Sequence, residues 1–325
     1  MEKNLSIHLY IASCVEDGGI YHYKVENGIF TLEEFLSLKN PMYMALTERR
    51  LYCLLNDPFE GSSESGVVEI ELTGGYFGKS SAPVGTHGEE GCHLCLLDGK
   101  IYVANYTSGN LCRLPDTVVQ HSGHSVNPDR QSAPHTHCII PTPDGKYLCA
   151  TDLGTDEIVI YSKELVPISK AAMPAGSGPR HLLFSDDGQR LYCANELKSG
   201  VSVFSYGDGS LTYKGTFSSL PEDFEGESYA AAIRLHGGKI YVSNRGHDSV
   251  AYFDENGGEL TNLNFVKVGG SFPRDFFMIG DMLISANERS DTVTVFRLED
   301  GRPVAADTVL SIKRPLAVEG IILPE

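Results

Sequence analysis

Short apolar runs separated by polar turn residues occur along most of the chain. Within residues 178–206, an apolar run at Leu182–Phe184 precedes an Asp187-Gly188 turn, and a second run follows at Leu191–Ala194. Glycine tolerates the positive φ of tight hairpin turns, so this Asp-Gly pair predicts a hairpin. A further polar turn leads to a third strand from Val201, with alternating burial. The unit is therefore predicted to be a small antiparallel sheet.

The same unit is visible six times. Its copies span residues 40–57, 90–114, 134–161, 178–206, 228–253 and 272–298. An asparagine or aspartate marks the end of the second strand in each copy, and these markers lie 43 to 49 residues apart: Asn56, Asn105, Asp152, Asn195, Asn244 and Asn287. A repeat of that period is typical of four-stranded propeller blades.

The two ends of the chain supply a seventh unit. Leu9–Ser13 is similar to the second strand of the repeat, and Pro315–Leu323 is similar to the first strand that would precede it. Joining both termini in one blade closes the ring and removes two exposed sheet edges. The sequence thus predicts an all-β, seven-bladed β-propeller in which residues 1–325 form a single domain and the terminal strands share one blade. Only Leu32–Leu38 suggests a short helical turn or loop.

Composition narrows the possible functions. The net charge of −17 argues against nucleic acid or an anionic membrane as a partner. The sequence shows neither an 18-residue apolar run nor an export signal, so we expect no membrane span and no export. Among the eight cysteines, Cys92 and Cys95 have CxxC spacing, but on a strand they point to opposite faces, and no second pair completes a zinc site. We expect free buried thiols, a cytoplasmic location and no metal.

Strand geometry selects the candidate functional residues. In a strand–hairpin–strand unit, the start of the first strand and the end of the second lie at the same edge of the sheet. Side chains from these positions should therefore converge at one mouth of the central channel. The candidates are His93, His137, Arg180, His181 and Arg274 at strand starts, and Asn105, Glu196 and Arg245 at strand ends. A cluster of charged side chains persists in a fold when the charges are paired or take part in binding or catalysis. Two structural roles are the alternatives to a functional site: asparagines that cap turns, and a structural Arg180–Glu196 ion pair.

Three stretches, GPRHLLFSDDGQRLYCANEL, HTHCIIPTPDGKYLCATDLGTD and IYVSNRGHDSV, resemble the motifs of the bacterial lactonase family of seven-bladed propellers. The resemblance covers essentially the whole chain. It implies lactone hydrolysis, best known as the 6-phosphogluconolactonase reaction, in a family that includes relatives acting on muconate lactones. By this resemblance, the active-site candidates are His137, Arg180, Glu196 and Arg245. The family often carries Ala-Glu-Ile where this chain has Ala231-Ala232-Ile233, so one carboxylate is absent and the choice of lactone is open.

Opening a lactone needs an activated water and a site for negative charge on the carbonyl oxygen. We expect Glu196 to be the base, with His137 as the alternative base or a proton shuttle, and Arg180 to stabilise the oxyanion. Arg245 and Arg274 suit a sugar phosphate, because a guanidinium fork matches phosphate oxygens. The remaining candidates for substrate contacts are His181, His93 and Asn105.

The predicted function is hydrolysis of 6-phosphoglucono-δ-lactone to 6-phosphogluconate, a step of the pentose phosphate pathway. It would need no cofactor, and its partner would be a small phosphorylated lactone. A lactonase or lactonising isomerase acting on another sugar or carboxylated lactone is one alternative. A non-catalytic scaffold is the other, because a fold by itself does not specify a function.

Overall fold

The computed structural model describes residues 5–324, and for residues 305–307 it describes the backbone alone. Strands occupy most of this range. In chain order they are β1 Leu5–Ser13, β2 Gly19–Glu26, β3 Ile29–Ser37, β4 Pro41–Leu46, β5 Arg50–Leu55, β6 Glu64–Thr73, β7 Tyr76–Ser80, β8 Val84–Glu89, β9 Gly91–Leu97, β10 Lys100–Asn105, β11 Asn110–Arg113, β12 Thr117–Gln120, β13 Thr136–Pro141, β14 Leu148–Asp152, β15 Glu157–Tyr161, β16 Pro167–Ala172, β17 Pro179–Phe184, β18 Arg190–Asn195, β19 Gly200–Gly207, β20 Ser210–Ser218, β21 Tyr229–His236, β22 Lys239–Arg245, β23 Ser249–Asn256, β24 Glu259–Lys267, β25 Pro273–Ile279, β26 Met282–Asn287, β27 Thr292–Glu299, β28 Arg302–Ser311 and β29 Pro315–Pro324. Residues 5–324 contain no helix that is long and apolar enough to cross a membrane.

The strands form seven antiparallel sheets. Five sheets take four consecutive strands each, from β9–β12 to β25–β28, and the sheet β4–β7 gains β8 as a fifth strand beside β6. The last sheet has the order β29-β1-β2-β3, so strands from both ends of the chain lie side by side. In this blade Ile11 pairs with Val318 and Leu5 with Pro324. The predicted shared blade is therefore confirmed.

The blades close into a ring around a central channel. The innermost strands contact one another in succession, β4 to β9, β13, β17, β21, β25 and β29, and β29 contacts β4 again. Apolar clusters fill the spaces between neighbouring sheets; one joins Leu9 and Ile11 to Ile284 and Val293. Because both faces of a blade are covered, inner strands are buried almost throughout, as in β18, where only Arg190 is partly exposed. The seven-bladed all-β propeller is the fold of this chain.

The prediction of a helical turn or loop at Leu32–Leu38 is wrong. This segment belongs to the outermost strand β3 and pairs with β2. A bulge inserts Glu33 opposite the His22/Tyr23 step, because Tyr23 pairs with Leu32 and His22 with Glu34. The extra residue breaks the period-two alternation of apolar side chains, which gave the sequence its helix-like spacing.

Candidate active site

A β-bulge lies near the start of the innermost strand in most blades. The register skips Met42 in β4, Cys92 in β9, His137 in β13 and Arg274 in β25, so each of these residues lacks a partner on the adjacent strand. In β17 the shift spans Arg180 and His181. An unpaired bulge residue can turn its side chain away from the regular pleat. This repeated irregularity brings side chains from different blades to one end of the channel.

These side chains surround a polar cavity of about 310 Å³. The residues that line it are Met42, Glu90, Cys92, Tyr106, Arg130, His137, Glu196, Arg245, Arg274 and Arg314. They come from several blades and from the loops between blades. Four of the ten are arginines, in a protein whose net charge is −17. The cavity is therefore a local concentration of positive charge, suited to an anionic ligand.

Three arginines meet on the carboxylate of Glu196. Its Oε1 accepts a hydrogen bond from Arg130 Nη2 at 2.5 Å, and its Oε2 lies 2.7 Å from Arg245 Nη2 and 3.1 Å from Arg180 Nε. The Arg180 contact has the distance of an ion pair but not the alignment of a hydrogen bond, since Nε and Nη1 of Arg180 have no hydrogen-bond partner. Both oxygens of Glu196 are thus engaged with cations.

The charges in this cluster shift its protonation equilibria. Burial alone would raise the pKa of Glu196, but the positive charges of Arg245 and Arg180 outweigh it and hold that pKa well below the usual range. Burial and the nearby Arg245 lower the pKa of Arg180. Glu196 is therefore an ionised, strongly stabilised carboxylate at neutral pH, and such a group is a weak proton acceptor.

His137 offers a different kind of group. Its side chain lines the cavity, and neither ring nitrogen has a hydrogen-bond partner among the described residues; Nδ1 is enclosed by protein, whereas Nε2 is not among the enclosed atoms. Burial, followed by the charge of Arg180, lowers the pKa of His137 well below its ordinary value, so the ring is neutral at pH 7. A neutral imidazole with an unoccupied nitrogen can accept a proton or a hydrogen bond from a ligand.

Two further histidines continue from His137 into the protein interior. The rings of His137 and His181 meet edge to face at 5.5 Å, and His181 meets His93 at the same distance. His93 in turn packs on Tyr43 at 4.5 Å. Burial lowers the pKa of all three imidazoles, that of His93 to about 3. His93 and His181 are buried and are not among the residues that line the cavity.

The blades are numbered in chain order, from blade one (β4–β8) to blade six (β25–β28), and the blade shared by the two ends of the chain is blade seven. A second group of charged side chains lies on the side of the cavity formed by blades six and seven. Glu288 Oε1 accepts from Arg314 Nε at 3.3 Å, and Glu288 Oε2 lies 3.5 Å from Arg274 Nη1. Burial alone would lower the pKa of Arg274, but the negative charges of Glu288 and Glu196 act in the other direction, and the net shift is upward. Arg274 and Arg314 both line the cavity.

The structure brings four of the eight sequence candidates to the cavity wall: His137, Glu196, Arg245 and Arg274. Arg180 lies behind Glu196, with 3% of its side chain exposed. Asn105 is not brought to the cavity, because its amide is used within the fold. It accepts from Thr86 Oγ1 and donates to Thr86 O and to Asn110 Oδ1. Its role is to join β10 to the preceding segment.

Sequence reasoning missed Arg130 and Arg314. Arg130 lies in the long connection between β12 and β13, and Arg314 lies in the short connection between β28 and β29. Neither position belongs to the repeated unit, so comparison of the repeats gave no signal for them. Arg130 also donates to Tyr106 Oη at 3.2 Å, which ties the connection to blade two.

All eight cysteines are free and buried, as predicted. Cys92 lines the cavity, but burial raises the pKa of its thiol to about 12. The thiol is therefore protonated at neutral pH and is a poor nucleophile.

The comparisons with known proteins agree with this architecture. The family model described as "Lactonase, 7-bladed beta-propeller" matches residues 8–319. An uncharacterized protein of Staphylococcus epidermidis is 33% identical over 96% of this chain and 98% of its own length. Among solved structures, a periplasmic gluconolactonase of Pseudomonas aeruginosa is similar with a TM-score of 0.88 and 26% identity, over 97% of this chain and 99% of that one. A candidate 6-phosphogluconolactonase of Bacteroides fragilis has a TM-score of 0.87 and 26% identity, over 97% and 98%. The chain therefore belongs to the lactonase family of seven-bladed β-propellers.

Proposed function

We propose that this protein hydrolyses a sugar lactone, with 6-phosphoglucono-δ-lactone as the substrate and 6-phosphogluconate as the product. The observation that carries the proposal is a neutral His137 with an unoccupied ring nitrogen, placed in an arginine-rich cavity. A lactone hydrolase needs this combination of a proton acceptor and cationic donors. The family supports the reaction class, and the excess of arginines supports an anionic substrate.

In the proposed reaction, water attacks the lactone carbonyl carbon and passes a proton to His137. The electron pair of the carbonyl moves to its oxygen, which Arg245 and Arg130 can stabilise because both line the cavity. When the carbonyl re-forms, the bond to the ring oxygen breaks, and that oxygen takes a proton from the imidazolium to become a hydroxyl. The product is the open-chain acid, which ionises in solution.

His137 is a better proton acceptor than Glu196 in this arrangement. Both oxygens of Glu196 are already engaged with arginines, whereas the ring nitrogens of His137 have no hydrogen-bond partner among the described residues. We propose that Glu196 instead positions the guanidinium groups and stabilises the imidazolium that forms on His137. Arg180 is too buried to touch a substrate, so it acts on Glu196 as a positioning residue.

A second candidate is hydrolysis of unphosphorylated gluconolactone, the substrate class in the name of the similar Pseudomonas aeruginosa protein. Glu288 favours it, because its carboxylate contacts two cavity arginines and lowers the net positive charge available to a phosphate. A lactonising isomerase would use the same groups in the reverse direction. A pure scaffold role does not account for the unpartnered polar atoms of the cavity. We place the activity in the cytoplasm, because free thiols are typical of reducing compartments.

The test is a panel of phosphorylated and plain sugar lactones, with each rate corrected for spontaneous opening. His137→Asn should lower kcat by roughly 10²–10⁴, the scale of a general base. His236→Asn is the matched control, because His236 lies at the β21–β22 hairpin, away from the cavity. A wild-type protein that opens none of the lactones contradicts the proposal.

The pH profile supplies a second readout. Protonated His137 cannot accept a proton, and burial lowers its pKa, so kcat/KM should stay constant from pH 8 down through 6.5, the ordinary histidine value, and fall only in more acidic solution. A half-maximal rate at or above pH 6.5 would show that the acceptor is a different group.

A further inference from the structure

We propose that the phosphate of the substrate binds to Arg274 and Arg314, on the side of the cavity formed by blades six and seven, where Glu288 holds the two guanidinium groups together. The inference rests on the proposed lactonase function and deepens it, because it assigns each end of the substrate to its own group of residues. The lactone end would lie at Glu196, and the phosphate would lie at the Arg274–Arg314 pair.

Arg274 differs from the other cavity arginines because its hydrogen-bond donors are unused within the described part of the chain. Arg274 makes no hydrogen bond to the described residues, and its one ion pair among them is the 3.5 Å contact with Glu288. Its side chain is 21% exposed, at the cavity wall. Arg245, by contrast, donates to Tyr229 O and Ala230 O and pairs with Glu196 at 2.7 Å. The guanidinium fork that is free to bind a phosphate is therefore that of Arg274.

Backbone and side-chain hydrogen bonds hold Arg314 at the mouth of the cavity in a left-handed backbone conformation. Its φ is +39°, in the left-handed region that non-glycine residues seldom adopt. The backbone N–H of Arg314 donates to Asp291 Oδ1 at 2.7 Å, and its Nη1 donates to Cys14 O at 3.4 Å. Half of the side chain is nevertheless exposed. The anchored backbone therefore holds this cation beside Arg274, where both arginines contact Glu288.

Glu288 holds the two arginines of this subsite together. Its Oε1 accepts from Arg314 Nε, and its Oε2 lies 3.5 Å from Arg274 Nη1. Oε2 is enclosed by protein, and Glu288 is not among the residues that line the cavity, so it acts on the ligand through the two arginines. It neutralises one of the two guanidinium charges, which leaves one net positive charge toward a phosphate.

The deciding quantity is the ratio of kcat/KM for 6-phosphoglucono-δ-lactone to kcat/KM for glucono-δ-lactone. Arg274→Gln should lower kcat/KM for the phosphorylated lactone about 10- to 100-fold, the loss of one charge-assisted contact, and Arg314→Gln should lower it in the same direction. Both variants should lower the ratio of the two kcat/KM values, because the plain lactone has no phosphate to lose. Arg289→Gln is the matched control, because Arg289 adjoins Glu288 and carries the same charge but does not line the cavity. Thermal unfolding of each variant confirms that it is folded.

The outcomes separate this inference from the proposed function. If the wild type opens both lactones equally well, or if the variants lower both rates together, the phosphate assignment is overturned and the lactonase proposal survives. If the wild type opens neither, calorimetric binding of 6-phosphogluconate decides. Binding that weakens in Arg274→Gln and not in Arg289→Gln supports the subsite without the reaction, and undetectable or unaltered binding refutes it.

Discussion

Glu196 organises the candidate site at the scale of single residues. One carboxylate holds Arg130, Arg180 and Arg245 within 3.1 Å, although three guanidinium groups would otherwise repel one another. Removing a buried ionic partner leaves uncompensated charge, which is far more costly than the pair is favourable. We therefore expect the stability of the fold, and the proposed activity, to depend on Glu196.

We expect Glu196→Gln to reduce the free energy of unfolding by up to about 3–5 kcal/mol at pH 7, and less where water in the cavity screens the arginines. The folded pKa of Glu196 lies well below its unfolded value of about 4.3. Its ionised form therefore stabilises the fold above that unfolded value, and this contribution is lost as the pH falls through it toward the folded pKa. The difference between the two proteins in urea unfolding should thus be largest near neutrality and shrink below about pH 4.

The control for this experiment is Glu69→Gln. Glu69 pairs with Arg50 at 2.9 Å, but both side chains are well exposed, so the change should alter the unfolding free energy by less than about 1 kcal/mol. An equal effect of the two substitutions at pH 7 would show that the Glu196 network does not contribute beyond an ordinary surface pair.

Some residues of the site could be predicted from sequence and others could not. His137 and Arg274 lie near the start of a first strand of the repeat, whereas Glu196 and Arg245 lie at the end of a second strand, and strand direction alone assigns both positions to one edge. Which of them is the proton acceptor depends on distances between blades, which no local pattern encodes. The cluster that occupies both oxygens of Glu196 is completed by Arg130, a residue outside the repeat.

At the scale of elements, bulges and one long connection shape the cavity. Aligned apolar positions predicted the inner strands, but they did not show that one residue in several of these strands is skipped by the register. In an inner strand that is buried at successive positions, a bulge only lengthens the apolar run, so it leaves little trace in the pattern. In the largely exposed edge strand β3, by contrast, a bulge shifts the alternation of apolar residues, and the result resembled helical spacing at Leu32–Leu38.

The connection between β12 and β13 carries Arg130 and is anchored beneath the mouth by Gln131. Gln131 is fully buried and its Nε2 donates to Leu153 O at 2.8 Å. We expect Gln131→Ala to cost about 1–3 kcal/mol locally, because a buried carbonyl loses its partner. Amide hydrogen exchange over residues 121–135 should accelerate, and kcat should fall because Arg130 is no longer held at Glu196.

Gln120→Ala provides the comparison. Its Nε2 donates to carbonyls of the neighbouring turn, at a largely exposed position, so water can replace the lost bonds. Unchanged exchange in the Gln131→Ala protein would mean that the connection is held by its other contacts, such as Ser125 to Asp156.

At the scale of the whole molecule, the ring is closed by the pairing of the two ends of the chain. β1 and β29 pair from Leu5↔Pro324 to Ser13↔Pro315, and β29 is also the innermost strand of its blade. This closure was predictable because two incomplete repeat units can be completed only by each other. It also places Arg314, which precedes β29, at the cavity, so ring closure and assembly of the site are linked.

A circular permutant tests whether the ring requires closure in this particular blade. Joining residue 325 to residue 1 by a short glycine-rich linker, and opening the chain between Gly237 and Gly238, turns the β29–β1 pair into a local hairpin and moves the long-range closure to blade five. Both glycines have positive φ and open space around them, at a hairpin tip remote from the cavity. Exposed tips of this kind tolerate new termini. The permutant should keep kcat within about twofold and unfold in a single transition, because every strand pair is retained.

Truncation after Arg314, unlike the permutation, should prevent folding, because it removes a strand pair. It removes β29, which exposes the paired edge of β1 and leaves β4 and β25 without the inner strand that both contact. An unpaired edge beside exposed core residues promotes aggregation, so this chain should fail to give soluble folded protein. A permutant that unfolds in two steps, or a truncated chain that folds, would show that the blades are stable independently and that closure is not cooperative with the rest of the ring. In that case each blade would position its own side chains, and assembly of the cavity would not depend on closure of the ring.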